Sequence, residues 1–224
     1  MSRSSPPSGN MDPEGNDFKY RQGDVEDPKS PHHLLVGWAS TGKRILDAGC
    51  AQGYLSRHLS ERGCEVDGVE LDPTSAKAAE AYCRKVLCGS LNDDATWARI
   101  EGKYDVVIFG DVLEHLLDSE QALRRSRERL APGGRVIVSL PNIANARIRL
   151  SLLFGNWDYA DSGILDRTHL RFFTLKSARE IFARCGFKVS RWAGAAGGRT
   201  PRFLLRLRPQ LFAPQFVFEL VAAE

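Results

Sequence analysis

The sequence predicts an α/β protein built on a doubly wound, mostly parallel sheet with helices on both faces. Three observations carry this reading. Strand and helix signals alternate from residue 43 to residue 140. Tyr104-Asp105-Val106-Val107-Ile108-Phe109 contains a continuous apolar run, as expected of a parallel strand buried on both sides. Ile45-Leu46-Asp47-Ala48-Gly49-Cys50-Ala51-Gln52-Gly53 runs from apolar residues into an acid, then into a loop of small residues.

Residues 1–24 are rich in Ser, Pro, Gly, Asn and Asp and are expected to be disordered, ahead of one domain over 25–224. Ser30 suits an N-cap and Pro31 a first helical position, and Leu34, Leu35 and Trp38 share one face. A strand is predicted over 43–47. A helix follows over 54–62, with Leu55 and Leu59 one turn apart and Gly63 as its stop. Strand 64–70, an Ala-rich helix 75–84, strand 85–88 and a helical segment around Thr96-Trp97 lead to strand 104–109. A helix over 119–130 ends at Pro132-Gly133-Gly134, and strand 135–140 succeeds it. The connection over 141–173 has no periodicity and is long for a loop, which marks it as a functional lid. Helix 174–184, capped by Gly186, and strands 187–192 and 216–222 close the chain. Residues 201–208 read as a basic, apolar surface helix over the sheet edge, too short to argue for membrane binding.

The totals exclude several classes. A net charge of +3 is too small to point to nucleic acid. No apolar run is long enough to span a bilayer, and the N-terminus has no apolar signal core. The five cysteines form no C-x-x-C pair, which removes support for zinc ribbons and redox motifs and suggests a reducing cytoplasm. No sequence signature sets an oligomeric state.

The small-residue loop follows the first predicted strand, where doubly wound sheets bind ligands. Its glycines permit close approach of a ligand to the backbone. Glu70 ends the second predicted strand about 20 residues on, where an acid can accept ribose hydroxyls. Together they indicate an adenosine-containing cofactor. The dinucleotide pattern G-x-G-x-x-G is absent, since Ala51 and Tyr54 stand at its second and third glycines. Asp47 suits a cofactor carrying an ammonium better than a pyrophosphate.

These residues carry a family resemblance. LDAGCAQGYLSRHL resembles the first motif of class I S-adenosylmethionine-dependent methyltransferases. GVELDP resembles the second, YDVVIFGDVLEHLLD the fourth, and LAPGGRVIVSLPN the one after it, in the right order and spacing. GILDRTHLRFFT resembles a bacterial subgroup linked to glycan, lipid or secondary-metabolite tailoring. The resemblance implies a Rossmann-like sheet of seven strands, the last antiparallel, and S-adenosylmethionine as cofactor. It implies that Asp47 and the backbone of Gly49, Cys50, Ala51 and Gly53, with Tyr54 opening the next helix, hold the methionine moiety. Glu70 would take the ribose, and Leu71 and Asp72 would flank adenine and ribose. Gly110, Asp111 and Val112 would lie beneath the sulfonium, with His115 nearby. The family's Gly-Asp after the third strand is replaced by Gly89-Ser90-Leu91, leaving Ser90 or the Leu91 backbone for the adenine. Gly49→Val is expected to abolish cofactor binding by blocking backbone approach, with little loss of fold beyond local strain.

Methyl transfer from a sulfonium is an in-line displacement, so the protein aligns donor and acceptor and takes a proton from the acceptor. Asp111, His115, Asp166 and His169 are the candidates. Each has a structural alternative: Asp111 as a helix cap, His115 as a cofactor-side support, His169 as a pin for the lid. No metal is expected, because Asp111 and Asn142 lack a third convincing ligand and His32, His33 and His58 are not ligand-spaced. The activity expected is methylation of a small molecule or a glycan or secondary-metabolite intermediate, at oxygen before nitrogen. A non-catalytic cofactor-binding partner and an RNA methyltransferase are the competing readings. Arg124, Arg125, Arg127 and Arg129 form a basic run, but helical spacing spreads them round a surface.

Overall fold

The computed structural model describes residues 25–196 and 202–223. The predicted disordered stretch 1–24 and Pro201 lie outside them. The chain runs α1 (Pro31–Ala39), β1 (Arg44–Ala48), α2 (Tyr54–Glu61), β2 (Glu65–Glu70), α3 (Pro73–Ala79) and β3 (Lys85–Cys88). It continues through α4 (Asp94–Arg99), β4 (Tyr104–Gly110), a 3-10 turn (Leu113–His115), α5 (Ser119–Glu128) and β5 (Leu130–Pro141). Then come α6 (Ala146–Leu153), α7 (Leu175–Arg184), β6 (Phe187–Ala195), α8 (Arg202–Leu207), α9 (Pro209–Phe212) and β7 (Gln215–Ala222).

Seven strands form one sheet in the order β3-β2-β1-β4-β5-β7-β6. β1 to β5 pair in parallel, and β7 lies antiparallel between β5 and β6. This is the expected doubly wound sheet with an antiparallel last strand. Successive strand residues bury against opposite layers. Leu46, Val107, Phe109, Val136 and Val138 meet Trp97, Leu123, Phe182 and Phe218 on one face. Ile45, Val106, Ile108 and Ile137 meet Leu35, Leu55 and Leu59 on the other. Burial on both faces is why these strands read as unbroken apolar runs.

Local capping starts the helices where the sequence signals them. Ser30 Oγ accepts the His32 N–H at 3.1 Å, Asp72 accepts the Ser75 N–H at 2.9 Å, and Thr174 and Ser177 form a reciprocal box. As expected, α8 and α9 pack beside β6 at the sheet edge.

Three predictions need correction. The lid 141–173 is not structureless, since it contains α6. That helix buries no residue, so no apolar period marks it, and Asn145 caps it by accepting the Arg147 N–H at 3.0 Å. Pro132-Gly133-Gly134 is a bulge inside β5 rather than a turn before it. β5 pairs Leu130 with Tyr104 and Arg135 with Val106, looping out the residues between. Gly134 is required there, because a Cβ would stand 2.9 Å from the carbonyl oxygens of Ala131 and Tyr104. Helix α3 stops at Ala79, five residues short of its predicted end, where the chain tightens into turns closed by the Ala81 and Tyr82 amides on the Ala78 and Ala79 carbonyls. Among the described residues no helix is long and apolar enough to cross a membrane.

Phe218 on β7 is fully buried and stacks edge-on with Phe182 and Phe216, at ring centroid distances of 5.1 and 6.0 Å. Phe218→Ala should cost about 3–5 kcal/mol in chemical denaturation. A loss below about 1 kcal/mol would mean that β7 is not part of the cooperative core.

Candidate active site

Strand order reverses between β1 and β4, which opens a crevice beyond their carboxyl ends. Asp47, Glu70, Gly110 and Ser139 all lie at or near the carboxyl ends of adjacent parallel strands.

The first loop is tied by its own amides. Gly49 and Cys50 donate to the Val69 carbonyl at 2.8 and 3.0 Å, and Gly53 donates to Cys50 at 2.9 Å. Ala51 donates to Glu70 Oε2 at 2.9 Å. These bonds consume amides that a pyrophosphate would need. The loop offers carbonyl oxygens next to an acid instead, which fits an ammonium group. Gly49 has φ +88°, and a Cβ on it would stand 2.5 Å from Val112 Cγ2. A valine at Gly49 would therefore strain the loop locally and displace Val112.

Asp47 is buried and accepts a hydrogen bond from Ser56 Oγ at 2.7 Å. Burial pushes its pKa up to about 6, with the Ser56 bond opposing and the Glu70 charge adding to the rise. Glu70 is only part-buried, and its second oxygen accepts the Asp72 N–H at 2.8 Å. Both carboxylate oxygens are thus fixed while keeping spare lone pairs. Leu71 is exposed beside it. Asp72 serves as the cap of α3, accepting from both the amide and the hydroxyl of Ser75. Ser90 Oγ accepts the Asn92 N–H at 3.1 Å, and the Leu91 carbonyl takes the Trp97 indole N–H at 2.9 Å. The Cys50 side chain packs over Gly68 against Cys83, so only its backbone serves the loop. Its thiol is held protonated, with a pKa raised first by the Cys83 bond and then by burial.

At the end of β4, Asp111 has φ +56°. It does not cap the following turn. Its Oδ1 accepts from Ser139 Oγ at 2.6 Å and Gln215 Nε2 at 2.9 Å. Tyr54 is buried at the start of α2, edge-on to His32 of α1 at 5.8 Å. His32 has an unpartnered buried Nδ1, and its pKa is lowered by burial against an opposing pull from Asp111.

The lid docks on the 3-10 turn. The amides of Leu170 and Arg171 donate to the Glu114 carbonyl at 2.8 and 3.1 Å, and Arg171 also donates to the Leu117 carbonyl. The rings of His115 and His169 meet edge-on at 4.7 Å. His115 Nδ1 lies 3.3 Å from the Thr168 carbonyl, and His169 Nδ1 lies 3.1 Å from the Ile164 carbonyl. Burial, then the neighbouring His169, lowers the His115 pKa. Asp166 is occupied by the amide and hydroxyl of Thr168. Trp157, Tyr159 and Phe172 make an aromatic cluster that reaches His169. Asn142 is a structural pin, donating to the Gln210 and Ala213 carbonyls and accepting from Ala144.

The fold thus gathers Asp47, Glu70, Asp111, His115 and His169 from distant segments. Ser56, Ser139, Gln215, His32 and Glu114 were missed by the sequence reading. Ser56, Ser139 and Gln215 act only through contacts across elements and carry no local signal. Glu114 stood inside the fourth motif, and nothing in the sequence announces that its side chain is buried.

A wound sheet with this loop, this acid pair and this antiparallel last strand defines a class I methyltransferase. Residues 19–191 match the family model described as a methyltransferase domain, and the chain belongs to that family. S-adenosylmethionine is its methyl donor. Among curated relatives, the ubiquinone biosynthesis O-methyltransferase of Psychrobacter arcticus is 32% identical over 148 residues, covering 58% of this chain and 56% of the relative. The one from Chromobacterium violaceum is 32% identical over 120 residues, covering 51% and 50%. The chain therefore spans about half the length of these relatives. Among solved structures, the magnesium protoporphyrin IX methyltransferase of Synechocystis with bound SAH has a TM-score of 0.61 at 20% identity, covering 86% and 82%. The CcbJ methyltransferase of Streptomyces caelestis has a TM-score of 0.63 at 17% identity, covering 92% and 95%.

Two variants test the loop. The folded Asp47 carboxyl titrates near 6, above its ordinary 3.8. Folding thus favours its protonated form, and that contribution is full below pH 3.8 and lost as pH rises through about 6. At pH 7.5, Asp47→Asn should raise the melting temperature of the ligand-free protein by roughly 2–6 °C. The same change should weaken S-adenosylhomocysteine by at least about tenfold in calorimetry, a loss of roughly 1.4 kcal/mol. A less stable variant with intact affinity would refute both roles. Glu70→Ala should abolish saturable binding in the same titration.

Proposed function

We propose that the protein transfers a methyl group from S-adenosylmethionine to a hydroxyl of an apolar small molecule. The observation that carries this is the imidazole pair His115 and His169, set where the lid meets the end of β4. The bound cofactor supplies a methyl on a sulfonium, an already activated leaving group. Asp47 and the carbonyls of the loop from Gly49 to Gly53 receive its ammonium, and Glu70 receives its ribose hydroxyls. Tyr54 closes the methionine end, while Leu71, Asp72, Ser90 and Leu91 border the adenine. Gly110, Asp111 and Val112 form the floor, with Asp111 held by Ser139 and Gln215. His115 and His169 activate the acceptor hydroxyl, each presenting a nitrogen that its carbonyl contact leaves unused.

The acceptor class is read from the lid. Trp157, Tyr159 and Phe172 favour an apolar, ring-bearing molecule over a glycan, whose hydroxyls would need a denser set of polar partners. Oxygen as the methylated atom is supported by the relatives named for O-methylation in ubiquinone biosynthesis. Nucleic acid is disfavoured by the fate of the basic run. Arg124 pairs with Glu120 and Arg125 with Asp94 and Glu128, while Arg127 and Arg129 donate to backbone carbonyls. The free thiols fit a cytoplasmic place of action.

The full chain should be incubated with S-adenosylmethionine and panels of phenols, catechols, glycosides and amines. Products heavier by one methylene should appear among the hydroxylated aromatics. Products confined to amines would overturn the oxygen assignment. His169→Ala should lower turnover on the accepted substrate at least about 100-fold while changing cofactor affinity less than about threefold. Equal loss of both would reduce His169 to a pin for the lid.

A further inference from the structure

We propose that Cys50 and Cys83 form an oxidation-sensitive thiol pair, which peroxide joins in a disulfide that weakens the hold of the first loop on its cofactor. The pairing rests on the geometry of the thiols alone. Its effect on binding rests on the reading above of residues 49–53 as the seat of the cofactor. In the sequence the two cysteines are far apart and make no redox motif. The sheet brings them together.

Gly68 is their meeting point. It lies on β2 between Asp47 of β1 and Val86 of β3. A Cβ built on it would stand 2.7 Å from Cys50 Sγ and 3.2 Å from Cys83 Sγ. Both sulfurs thus share the space that any larger residue would fill with its own side chain. The Cys83 thiol faces Cys50 closely enough to be the leading influence on its acidity. The remaining thiols are turned elsewhere: Cys64 to the Ser40 carbonyl, Cys88 to Leu71 and Cys185 to Glu120.

Cys50 is built into the loop. Its amide donates to the Val69 carbonyl, its own carbonyl takes the Gly53 amide, and its thiol donates to the Ala51 carbonyl at 3.8 Å. Cys83 belongs to the turns after α3, with its amide on the Ala79 carbonyl. Those turns already press on the loop, since a Cβ on Gly53 would stand 2.9 Å from Tyr82 Cδ2 and 3.1 Å from Ala79 Cα. A sulfur–sulfur bond is shorter than a packing contact. It would therefore draw Cys50 toward Cys83 and take its thiol from the Ala51 carbonyl. The Ala51 amide, which holds Glu70, would shift with it.

Cys83 is half-buried and Cys50 is 4% exposed, so an oxidant meets Cys83 first. The Cys83 sulfur bonds to one oxygen of hydrogen peroxide as the O–O bond breaks, giving a sulfenic acid and one water. The Cys50 sulfur then bonds to the Cys83 sulfur as the S–O bond breaks, and its proton leaves with the hydroxyl as a second water. Two thiols are oxidised and one peroxide is reduced. A dithiol reductant reverses the bond by exchange. In reducing compartments disulfides are mostly of this transient, sensing kind.

The test treats the full chain with hydrogen peroxide, alkylates the remaining thiols and maps the peptides by mass spectrometry. A linked pair carrying Cys50 and Cys83 is expected. S-adenosylhomocysteine affinity should fall at least about tenfold in calorimetry and return with dithiothreitol. In Cys83→Ser the link and the fall should both vanish, while the reduced variant binds within about threefold of the unmodified chain, which also reports that it folds. Cys88→Ser should leave both effects in place. A link between Cys83 and Cys88, or a sulfinic acid at Cys83 with no link, would overturn the pair. A Cys50 to Cys83 link with unchanged affinity would overturn its effect on binding. No S-adenosylhomocysteine binding by the reduced, unmodified chain would instead sink the reading of the loop as cofactor seat and leave the link standing.

Discussion

The parallel pairing of β1 with both β2 and β4 is the constraint on which the site depends. Because these strands run the same way, the segments that follow them all leave from one end of the sheet. Because the winding reverses between β1 and β4, those segments part and leave a crevice. Asp47, Glu70 and Asp111 are far apart in sequence and adjacent in space for this reason alone. The strand residues between them are buried on both faces, so the crevice stands on a floor that resists deformation.

The polarity of the first loop selects what can enter. A loop of glycines after a strand is equally compatible with a phosphate or an ammonium until its hydrogen bonds are known. Here Gly49, Cys50 and Gly53 turn their amides onto the loop's own neighbourhood, and Ala51 spends its amide on Glu70. That last bond has two effects. It fixes the Glu70 carboxylate, and it removes a donor that a phosphate would have used. The same small residues thus build an acceptor-rich pocket, beside an acid that burial holds partly short of charge.

The fold and the segments proposed to hold the cofactor were legible because they are written locally. Apolar runs, caps such as Ser30 and Asp72, and the acids Asp47, Glu70 and Asp111 at the ends of β1, β2 and β4 all appear within a few residues of where they act. The acceptor end was not, because it is made by contacts between segments. Helix α6 has no buried face and so no period. The Pro-Gly-Gly of β5 signals a break in regular backbone, and a bulge answers that signal as well as a turn does. His169 was singled out by its place in a long connection, yet its meeting with His115 required the docking of Leu170 and Arg171 on the Glu114 carbonyl. Glu114 reads as an ordinary polar residue until the turn buries it.

Asp47 and Glu114 are both buried acids, and both have raised pKa values led by burial. Asp47 keeps one donor, Ser56, while Glu114 has none. A protein selected for stability alone would replace such groups with apolar ones of the same shape. Their common feature is a carboxylate short of positive charge. On the proposed reading the cofactor's ammonium meets the need at Asp47 and supplies what folding left out. On that reading the ligand-free protein carries the cost of an under-partnered Asp47, and cofactor binding is the step that relieves it.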